Sequence, residues 1–499
     1  MTPSPRFALR SLSLLAVLLG PQALLAQFAG TIPPPSEYKA GWDTITTELA
    51  RKHLSYLAGP ECQGRGTGQP GYQKAAEYVA DQFRALGLVP IGDNGTYFQG
   101  VPFTSTSIDE SATSLTGSTL NLRLGKGLGA TSFGSDANLT TEDVVFLNLA
   151  TGATQLPEGV DLSGKAVVVT VAGQVNTRRL TSNAAMVLTV VDRATMPAPS
   201  VSPARGGGGR GRGTQAPNLT IERRYAFELA RALGVEPSML LAGGADGSAP
   251  VELREAKGSL SLALKVKTEE VRVPNVVGML PGSDPELKAR YIGVGAHLDH
   301  LGVSGGTVFW GADDDASGST AMLLVANAAA NNPLKPKRSI VFMAFCGEEM
   351  GLIGSGYYTA NPIIPLERMD CLLQMDMVGR NEEKRNEKAE DNVNTIHLVG
   401  SKRISMELHN ITLDMNKHIG FEFEYDEESV YERSDHANFA RKGVPITFLF
   451  SGFHPDYHRP TDTIEKINFD KIVNSARLNY LVLERVGGMT ENLKLDAGG

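Results

Sequence analysis

The stretch YIGVGAHLD, residues 291–299, carries the main information about the fold. It opens with an apolar run that is typical of a strand buried on both faces of a parallel sheet. His297 and Asp299 stand at its end, and residues two apart in an extended chain share one face. The stretch therefore predicts a buried strand that ends in two polar side chains, one of which can orient the other.

Similar apolar runs follow along the chain and alternate with segments of helical periodicity. This alternation predicts an α/β fold with a mixed, mainly parallel sheet flanked by helices, in which ligands gather beyond the carboxyl ends of the strands. Residues 41–90 are also expected to form amphipathic helices. In the main part, strands are expected near residues 291–296, 339–345, 371–376, 395–399 and 444–450, and helices near 318–331, 402–418 and 470–486.

Potential metal ligands occur at or near these strand ends, in the segments HLDH, GADDDASG, CGEE, QMDM and YHRPTDT. Two imidazoles and three carboxylates can hold two divalent cations if one carboxylate bridges them. A further glutamate, Glu348, then remains free to act as a base. This set is typical of a hydrolase that activates water on a pair of metal ions. The candidate ligands are His297, Asp314, Glu349, Asp376 and His458.

The residues alone leave two choices open. Three adjacent aspartates repel one another unless a cation lies among them, but Asp315 or Ser317 also suits the cap of the following helix. In the loop FHPDYHRPTDT, His454 is an alternative ligand to His458. His300 belongs to the turn after the first strand, and we expect it to be structural.

Composition disfavours several other functions. The chain has 499 residues, of which 41% are hydrophobic and 20% charged, and this suits two or three globular domains. Its net charge of −8 disfavours binding to nucleic acid or to anionic membranes. Three cysteines, an odd and small number, provide no disulfide framework. Cys346 precedes Gly347 and Glu348, but no Cys–His pairing supports a catalytic thiol, and we expect it to pack in the core.

The first 26 residues have the pattern of a secretory signal, with a basic start, an apolar core and Ala26 at a suitable cleavage position. A membrane anchor is the alternative, but the apolar stretch is short and Gly20 and Pro21 interrupt it. We therefore expect an exported protein, periplasmic or extracellular, without stable insertion into a membrane.

Residues 117–261 differ in character from the rest of the chain. They hold short β-like runs such as KAVVVTV and the low-complexity run SPARGGGGRGRGTQAP, which cannot pack into a core. We therefore expect a smaller β-rich domain inserted into the α/β domain. The predicted order is a signal peptide (1–26), the N-terminal part of the catalytic domain (27–116), the insert (117–261) and the main part of the catalytic domain (262–499).

The order of these motifs resembles a known family. HLDH, GADDDASG, CGEEMGLIGS, QMDMVG and YHRPTDT resemble the co-catalytic di-zinc aminopeptidases of the zinc exopeptidase superfamily. The segment GRGTGQPGYQKAAEYVADQF resembles the N-terminal helical segment of that family. Residues 117–261 are similar to an inserted protease-associated domain, with GVDLSGKAVVVTVAG as the best match.

The resemblance implies two Zn²⁺ ions per chain and a role for each ligand. His297 and Asp376 would bind one ion, and Glu349 and His458 would bind the other. Asp314 would bridge the two ions, since the pattern D-x-x-S-G aligns on this residue.

Further roles follow from the same resemblance. Glu348 would be the general base, and Asp299 would orient the first imidazole. Tyr457 would steady the tetrahedral intermediate. Asp435 and His436, in the segment SDHANF, would lie near the substrate pocket without binding metal.

The resemblance thus implies an exported di-zinc metallo-aminopeptidase that removes N-terminal residues from peptides, whose partners are peptides with a free N-terminus. One alternative is a carboxypeptidase of the same superfamily, in which arginines read a C-terminal carboxylate. Arg433 and Arg441 flank the SDHANF segment, but they do not form a cluster. The other alternative is a non-catalytic, receptor-like scaffold, a class marked by the loss of ligands or of the base, all of which are present here.

Overall fold

The computed structural model describes residues 31–117, 119–132, 135–173, 175–194, 200–204, 217–241 and 251–496. The predicted signal peptide and most of the arginine- and glycine-rich run lie outside these residues. Among the helices that are described, none is both long enough and apolar enough to cross a membrane.

The described residues form twenty strands, several of them long. They are β1 (Val89–Pro90), β2 (Phe98–Ile108), β3 (Ser114–Gly117), β4 (Leu120–Leu124), β5 (Gly127–Ser132), β6 (Ala137–Leu149), β7 (Ala166–Val171), β8 (Met186–Val191), β9 (Ser200–Pro203), β10 (Asn218–Glu222), β11 (Val251–Leu264), β12 (Val266–Leu280), β13 (Tyr291–His297), β14 (Gly302–Ser304), β15 (Thr307–Phe309), β16 (Ser339–Phe345), β17 (Met369–Met375), β18 (Thr395–Val399), β19 (Glu422–Glu424) and β20 (Ile446–Phe450).

The α-helices of the described residues lie mainly before β1 and after β15. They are α1 (Lys39–Trp42), α2 (Thr47–Leu57), α3 (Pro70–Ala85), α4 (Thr177–Leu180), α5 (Arg223–Ala232), α6 (Ala316–Asn331), α7 (Ile353–Ala360), α8 (Met406–Asn416), α9 (His436–Ala440) and α10 (Phe469–Gly487).

One large sheet has the strand order β19-β18-β20-β17-β13-β16-β12-β2-β9, with β1 paired to β12. The mixed α/β fold is therefore confirmed. Of the nine pairings that the described residues make in this sheet, only four are parallel, three of them between the central strands β16, β13, β17 and β20. The prediction of a mainly parallel sheet is wrong for the flanks, because the long strands β2 and β12 pair antiparallel as they lead into and out of the next part of the chain.

The central strands lie where the apolar runs predicted them. Strands β16 and β18 have the predicted bounds, and β13, β17 and β20 differ from them by one or two residues. Every residue of β16 and β17 is buried, as expected for strands covered on both faces. The helices predicted near 318–331, 402–418 and 470–486 correspond to α6, α8 and α10.

Helices cover the sheet and bury its core. Helix α6 is buried along almost its whole length, and it packs against α10 and the N-terminal helix α2. Helix α3 buries Ala75, Val79 and Phe83 on one side, which confirms the predicted amphipathic face. Beyond its end Gly87 adopts a positive φ of 71°, the conformation in which glycine commonly ends a helix.

Eight further strands close into a barrel in the order β10-β5-β4-β3-β11-β6-β7-β8. They lie between Ser114 and Leu264, after β2 and before β12. Apolar side chains form one core cluster inside this part, and a second cluster includes Val145, Leu147 and Val167. The domain boundaries at residues 117 and 261, and the likeness to a protease-associated domain, stay predictions.

Candidate metal centre

The predicted ligands come from the ends of neighbouring strands or from the loops beside them. His297 is the last residue of β13, and Asp376 directly follows β17. Glu349 lies shortly after β16, and Asp314 lies in the loop before α6. Because β13, β16 and β17 are parallel neighbours, their carboxyl ends meet at one edge of the sheet. His458 reaches the same edge from the loop after β20.

Asp314 lies at the middle of this group with an imidazole on each side. Its Oδ1 is 3.3 Å from Nε2 of His297, and its Oδ2 is 3.1 Å from Nε2 of His458. Oδ1 of Asp376 lies 3.4 Å from Nε2 of His297, and Oε2 of Glu349 lies 3.1 Å from Nε2 of His458. The structure thus brings all five predicted ligands together as two halves that share one carboxylate.

These separations suit metal ligation better than direct hydrogen bonding. A charge-assisted N–H···O bond spans about 2.7–2.9 Å. Two ligands of a tetrahedral zinc ion, each about 2.0–2.1 Å from it, lie about 3.3 Å from one another. The four separations of 3.1, 3.1, 3.3 and 3.4 Å lie around that second value. Moreover, Nε2 of His297 carries at most one proton and cannot donate to Asp314 and Asp376 at once. The donor set fits two cations.

The carboxylates give this centre a strong preference for positive charge. Burial by itself lowers the pKa of His297, but Asp376 and Glu348 outweigh burial and raise that pKa well above its usual range. Burial likewise lowers the pKa of His458, but its two carboxylate neighbours, Asp314 and Glu349, outweigh burial and raise it to about 10. A site that holds protons so firmly on both imidazoles offers the negative charge that two metal cations require.

The two neighbours of Asp314 are engaged elsewhere. Asp315 is the N-cap of α6, and its Oδ1 accepts a hydrogen bond from the N–H of Gly318 at 2.8 Å. Asp313 accepts a hydrogen bond from the N–H of Gly379 at 2.7 Å. Of the three adjacent aspartates, the middle one therefore faces both imidazoles, and the last one is the helix cap.

Two other histidines of the region have different positions. Nε2 of His454 lies 3.2 Å from Oδ2 of Asp313, so His458 and not His454 faces the centre. His300, which was expected to be structural, lies against the centre with Nδ1 2.7 Å from Oε1 of Glu349. That distance is typical of a charge-assisted hydrogen bond, so His300 donates to Glu349 and fixes its orientation.

Asp299 positions two groups at once. Nδ1 of His297 donates to the main-chain carbonyl of Asp299 at 3.1 Å, whereas the nearer carboxylate oxygen lies 3.7 Å away. The carboxylate accepts hydrogen bonds from the hydroxyl of Thr67 at 2.7 Å and from the N–H of Glu348 at 3.1 Å. Its main chain therefore orients the imidazole, and its side chain orients the glutamate loop.

The sequence analysis did not identify the side chains that bind the main chain around His297 and Asp314. Arg65 is fully buried and donates hydrogen bonds to main-chain carbonyls, among them those of Leu298 at 2.9 Å and Gly311 at 2.8 Å. Asp462 accepts a hydrogen bond from the N–H of Asp314 at 3.2 Å. The position of Arg65 in the glycine-rich segment GRGTG was the only available signal, because carbonyl partners leave no pattern in a sequence.

Glu348 lies beside the centre and lines the same pocket as four of the five ligands, all except Glu349. Burial raises the pKa of Glu348 well above its usual range, and Asp376 and Asp435 raise it further although His297 opposes them. A carboxyl group whose proton affinity is raised in this way is suited to take up a proton and release it again during a reaction.

The pocket above the centre combines polar groups with a set of apolar wall residues. The ring of Tyr457 stacks on that of His458 with 3.9 Å between the ring centroids, and its hydroxyl accepts a hydrogen bond from Arg433 at 3.3 Å. Burial raises the pKa of Tyr457, which keeps the hydroxyl protonated. Apart from these residues and the metal centre, the walls consist of Met377, Val430, Phe448, Phe450 and Phe453.

The remaining candidates do not join the centre. Asp435 is buried near it, and burial raises the pKa of Asp435 to about 7. His436 packs against Phe448 with 4.4 Å between ring centroids, and burial lowers its pKa to about 3. The thiol of Cys346 is buried and lies 3.5 Å from the carbonyl of Val273, and burial raises its pKa well above the usual value. This confirms that Cys346 is a packing residue.

Comparison with known proteins identifies the region that carries the centre. Residues 275–483 match the sequence profile of peptidase family M28. These residues are a peptidase family M28 domain. All five candidate ligands, together with Asp299, Glu348 and Tyr457, lie within the M28 domain. Arg65 and Thr67 lie outside it, so the N-terminal segment supports the M28 domain from elsewhere in the chain.

Individual relatives of the M28 domain are moderately similar. Leupeptin-inactivating enzyme 1 of Streptomyces exfoliatus is 31% identical over 38% of this chain and 38% of its own length. Aminopeptidase YwaD of Bacillus subtilis (strain 168) is 29% identical over 47% of this chain and 48% of its own length. The chain thus spans less than half of the length of either relative. A solved aminopeptidase from Aneurinibacillus sp. strain AM-1 aligns over 93% of this chain and 99% of its own, with 20% identity and a TM-score of 0.49.

Proposed function

We propose that this protein is a zinc-dependent exopeptidase that removes N-terminal residues from peptides. The observation that carries the proposal is the position of Asp314 between two imidazoles, at separations close to those of zinc ligands. His297 and Asp376 would hold one Zn²⁺ ion, and Glu349 and His458 would hold the other. When bound, such ions lower the pKa of water and polarise the scissile carbonyl.

The remaining polar residues have separate tasks in this proposal. Glu348 takes the proton from the attacking water and passes it to the leaving amine. The hydroxyl of Tyr457 donates a hydrogen bond to the oxygen of the attacked carbonyl, where negative charge develops. Asp299 positions both His297 and the loop of Glu348. The Tyr457 hydroxyl stays available as a donor because it only accepts a bond from Arg433.

The pocket supports a preference for peptides with an apolar first residue. Its walls include Met377, Val430 and three phenylalanines, which favour the burial of an apolar side chain. The names of aminopeptidase relatives support an N-terminal cut. We further propose export after cleavage near Ala26, and a protease-associated-like role for residues 117–261, from the sequence patterns alone.

A carboxypeptidase remains the second candidate because one guanidinium, that of Arg433, lines the pocket. Arg441, which together with Arg433 flanks the segment SDHANF, donates a hydrogen bond to Asn438 at 3.1 Å instead. A carboxypeptidase would use an arginine to bind the C-terminal carboxylate of its substrate.

Blocked peptides separate these functions. One peptide with an apolar first residue is tested free, N-acetylated and C-amidated. We expect acetylation to abolish cleavage, because the amide has neither the charge nor the free lone pair of the amine, whereas amidation is tolerated. Cleavage of the acetylated peptide but not of the amidated one would overturn the aminopeptidase proposal in favour of a carboxypeptidase. Cleavage of none of the three, with zinc present, would support a non-catalytic scaffold.

A further inference from the structure

A second group of metal-binding side chains lies away from the catalytic pocket. It consists of Glu382, His397 and Glu424, whose nearest ligand atoms all lie within 4.8 Å of one another. His397 on β18 is the register partner of Glu424 on β19, so the fold itself sets two of the three side chains side by side. Nε2 of His397 lies 3.3 Å from Oε2 of Glu382 and 3.4 Å from Oε2 of Glu424.

These distances repeat those of the catalytic centre. There, Nε2 of His297 lies 3.3 and 3.4 Å from its two carboxylates. Both pairs of distances exceed the charge-assisted hydrogen-bond length of about 2.7–2.9 Å and match the edge of about 3.3 Å between ligands of a tetrahedral cation. A single imidazole nitrogen cannot donate a proton to two carboxylates, but a cation between them satisfies all three groups.

Burial provides an independent observation. Glu382 and His397 are each only 1% exposed. The second oxygen of Glu382, Oε1, is buried and has no hydrogen-bond partner among the residues that the structure describes. A buried carboxylate oxygen without a partner is costly, and a cation bound by both oxygens of Glu382 would remove that cost.

The charges around this group are also unbalanced. Besides Glu382 and Glu424, the carboxylates of Asp426 and Glu427 face this group. Lys384 forms ion pairs with two of these four carboxylates. Nζ of Lys384 lies 3.1 Å from Oε2 of Glu382 and 3.2 Å from Glu427. A second lysine, Lys471, interacts electrostatically with Glu382 and Glu424. Two ammonium groups therefore stand against four carboxylates, which leaves negative charge for a divalent cation.

We propose that Glu382, His397 and Glu424 form a third, structural metal site for a divalent transition-metal ion such as zinc. A mixed set of one imidazole and two carboxylates favours such an ion over Ca²⁺, which takes oxygen ligands. Oδ1 of Asp426 lies 3.3 Å from the other ring nitrogen of His397, Nδ1, close to it but without the geometry of a hydrogen bond.

The ion ties β18 to the end of β19 and to the loop that carries Glu382. That loop borders the catalytic pocket, since the N–H of Glu383 donates to the carbonyl of Phe453 at 3.0 Å. The ring of His397 also lies 5.8 Å from that of Phe450, another wall residue. The site therefore stabilises the pocket wall without touching the substrate.

Zinc counting on the full chain tests this inference. The native chain and its variants are saturated with Zn²⁺, freed of excess ions on a desalting column and analysed by mass spectrometry. His397→Gln and Glu424→Gln should each hold one zinc fewer than the native chain. Lys384→Met, which changes the same cluster but removes no ligand, should hold as many as the native chain. Equal zinc counts in the native chain and both ligand variants would overturn the site, and so would an equal loss in Lys384→Met.

Zinc counting also tests the proposed catalytic centre, independently of the third metal site. Asp314→Asn should hold two zinc ions fewer than the native chain, and the double variant Asp314→Asn/His397→Gln should hold three fewer. A count that falls in His397→Gln but not in Asp314→Asn would contradict the catalytic proposal and support the third site.

If circular dichroism shows that His397→Gln folds poorly, a second measurement tests the site. The thermal unfolding temperature of Asp314→Asn is then measured with added Zn²⁺ and with added Ca²⁺. Stabilisation by Zn²⁺ alone supports the site, and equal stabilisation by both ions overturns it.

Discussion

Replacing each of the three adjacent aspartates with asparagine should have three different effects. Each change keeps the shape of the side chain and replaces one carboxylate oxygen with an NH₂ group. Asp314 uses both oxygens, Oδ1 towards His297 at 3.3 Å and Oδ2 towards His458 at 3.1 Å. The amide nitrogen cannot bind a cation, so Asp314→Asn should lose the shared ligand and with it two zinc ions per chain.

Asp315→Asn should lower stability without releasing zinc. The carboxylate accepts three main-chain hydrogen bonds: Oδ1 from Gly318 at 2.8 Å and Met377 at 3.0 Å, and Oδ2 from His297 at 3.2 Å. An amide oxygen can keep the first two bonds, but the NH₂ group then faces the N–H of His297. Leaving that buried donor without an acceptor costs about 1–3 kcal/mol of unfolding free energy.

Asp313→Asn should have the smallest effect. Its amide oxygen can still accept the bond from Gly379, now at 2.7 Å, and its NH₂ group still faces Nε2 of His454, which lies 3.2 Å from the carboxylate of Asp313. Zinc content by mass spectrometry and urea unfolding of the three variants give the comparison. A loss of zinc in Asp313→Asn with retention in Asp314→Asn would refute the assignment of the bridging ligand. Zinc loss in Asp315→Asn equal to that in Asp314→Asn would refute the capping role.

Two further predictions concern the base and a buried histidine. Glu348→Gln should keep its zinc and lose roughly 10²–10⁴-fold in kcat, since only the proton transfer is removed, and near-normal kcat in that variant would contradict its role. His53 is buried beside Tyr78, and burial, followed by Lys52, lowers its pKa to about 4. Because the unfolded chain binds this proton near pH 6.5, the contribution of His53 to stability is complete above that pH and is lost as the pH falls to about 4. The unfolding free energy of the native chain should therefore fall by about 3 kcal/mol more than that of His53→Gln across this range, and equal pH profiles would contradict the account.

The sequence predicted the centre of the fold better than its flanks. The runs that became β13, β16 and β17 are largely apolar because both faces are covered, and local composition alone reveals such strands. Strand β12 begins VKTEEVRV and is largely exposed over that half, so its composition resembles a loop. Its strand conformation depends on pairing with β2, a partner far away in the chain that no local pattern indicates.

For the candidate site, the sequence predicted the ligands at the strand ends but not the contacts that depend on loop paths or main-chain groups. Donor residues at the ends of buried strands are visible in a sequence because isolated charges there are costly. The choice between His454 and His458 depends on the path of a loop in which His458 adopts a positive φ of 54°, and composition does not determine that path. Arg65 and the main-chain contact of Asp299 were not predictable either, since any residue offers a carbonyl group.

The two imidazole–carboxylate groups share their ligand distances, but only one of them is equipped for catalysis. The catalytic centre has Glu348, whose raised pKa suits proton transfer, and a pocket beside it. At the second group, the charged side chain beside the ligand Glu382 is Lys384, whose Nζ lies 3.1 Å from Oε2 of that glutamate. Burial lowers the pKa of Lys384, but Glu382 and Glu427 outweigh burial and raise it, so the side chain stays an ammonium that cannot accept a proton from water. A metal ion at His397 would therefore have an ammonium beside its ligand Glu382 instead of a glutamate like Glu348, and we expect its effect to be confined to holding the strands together.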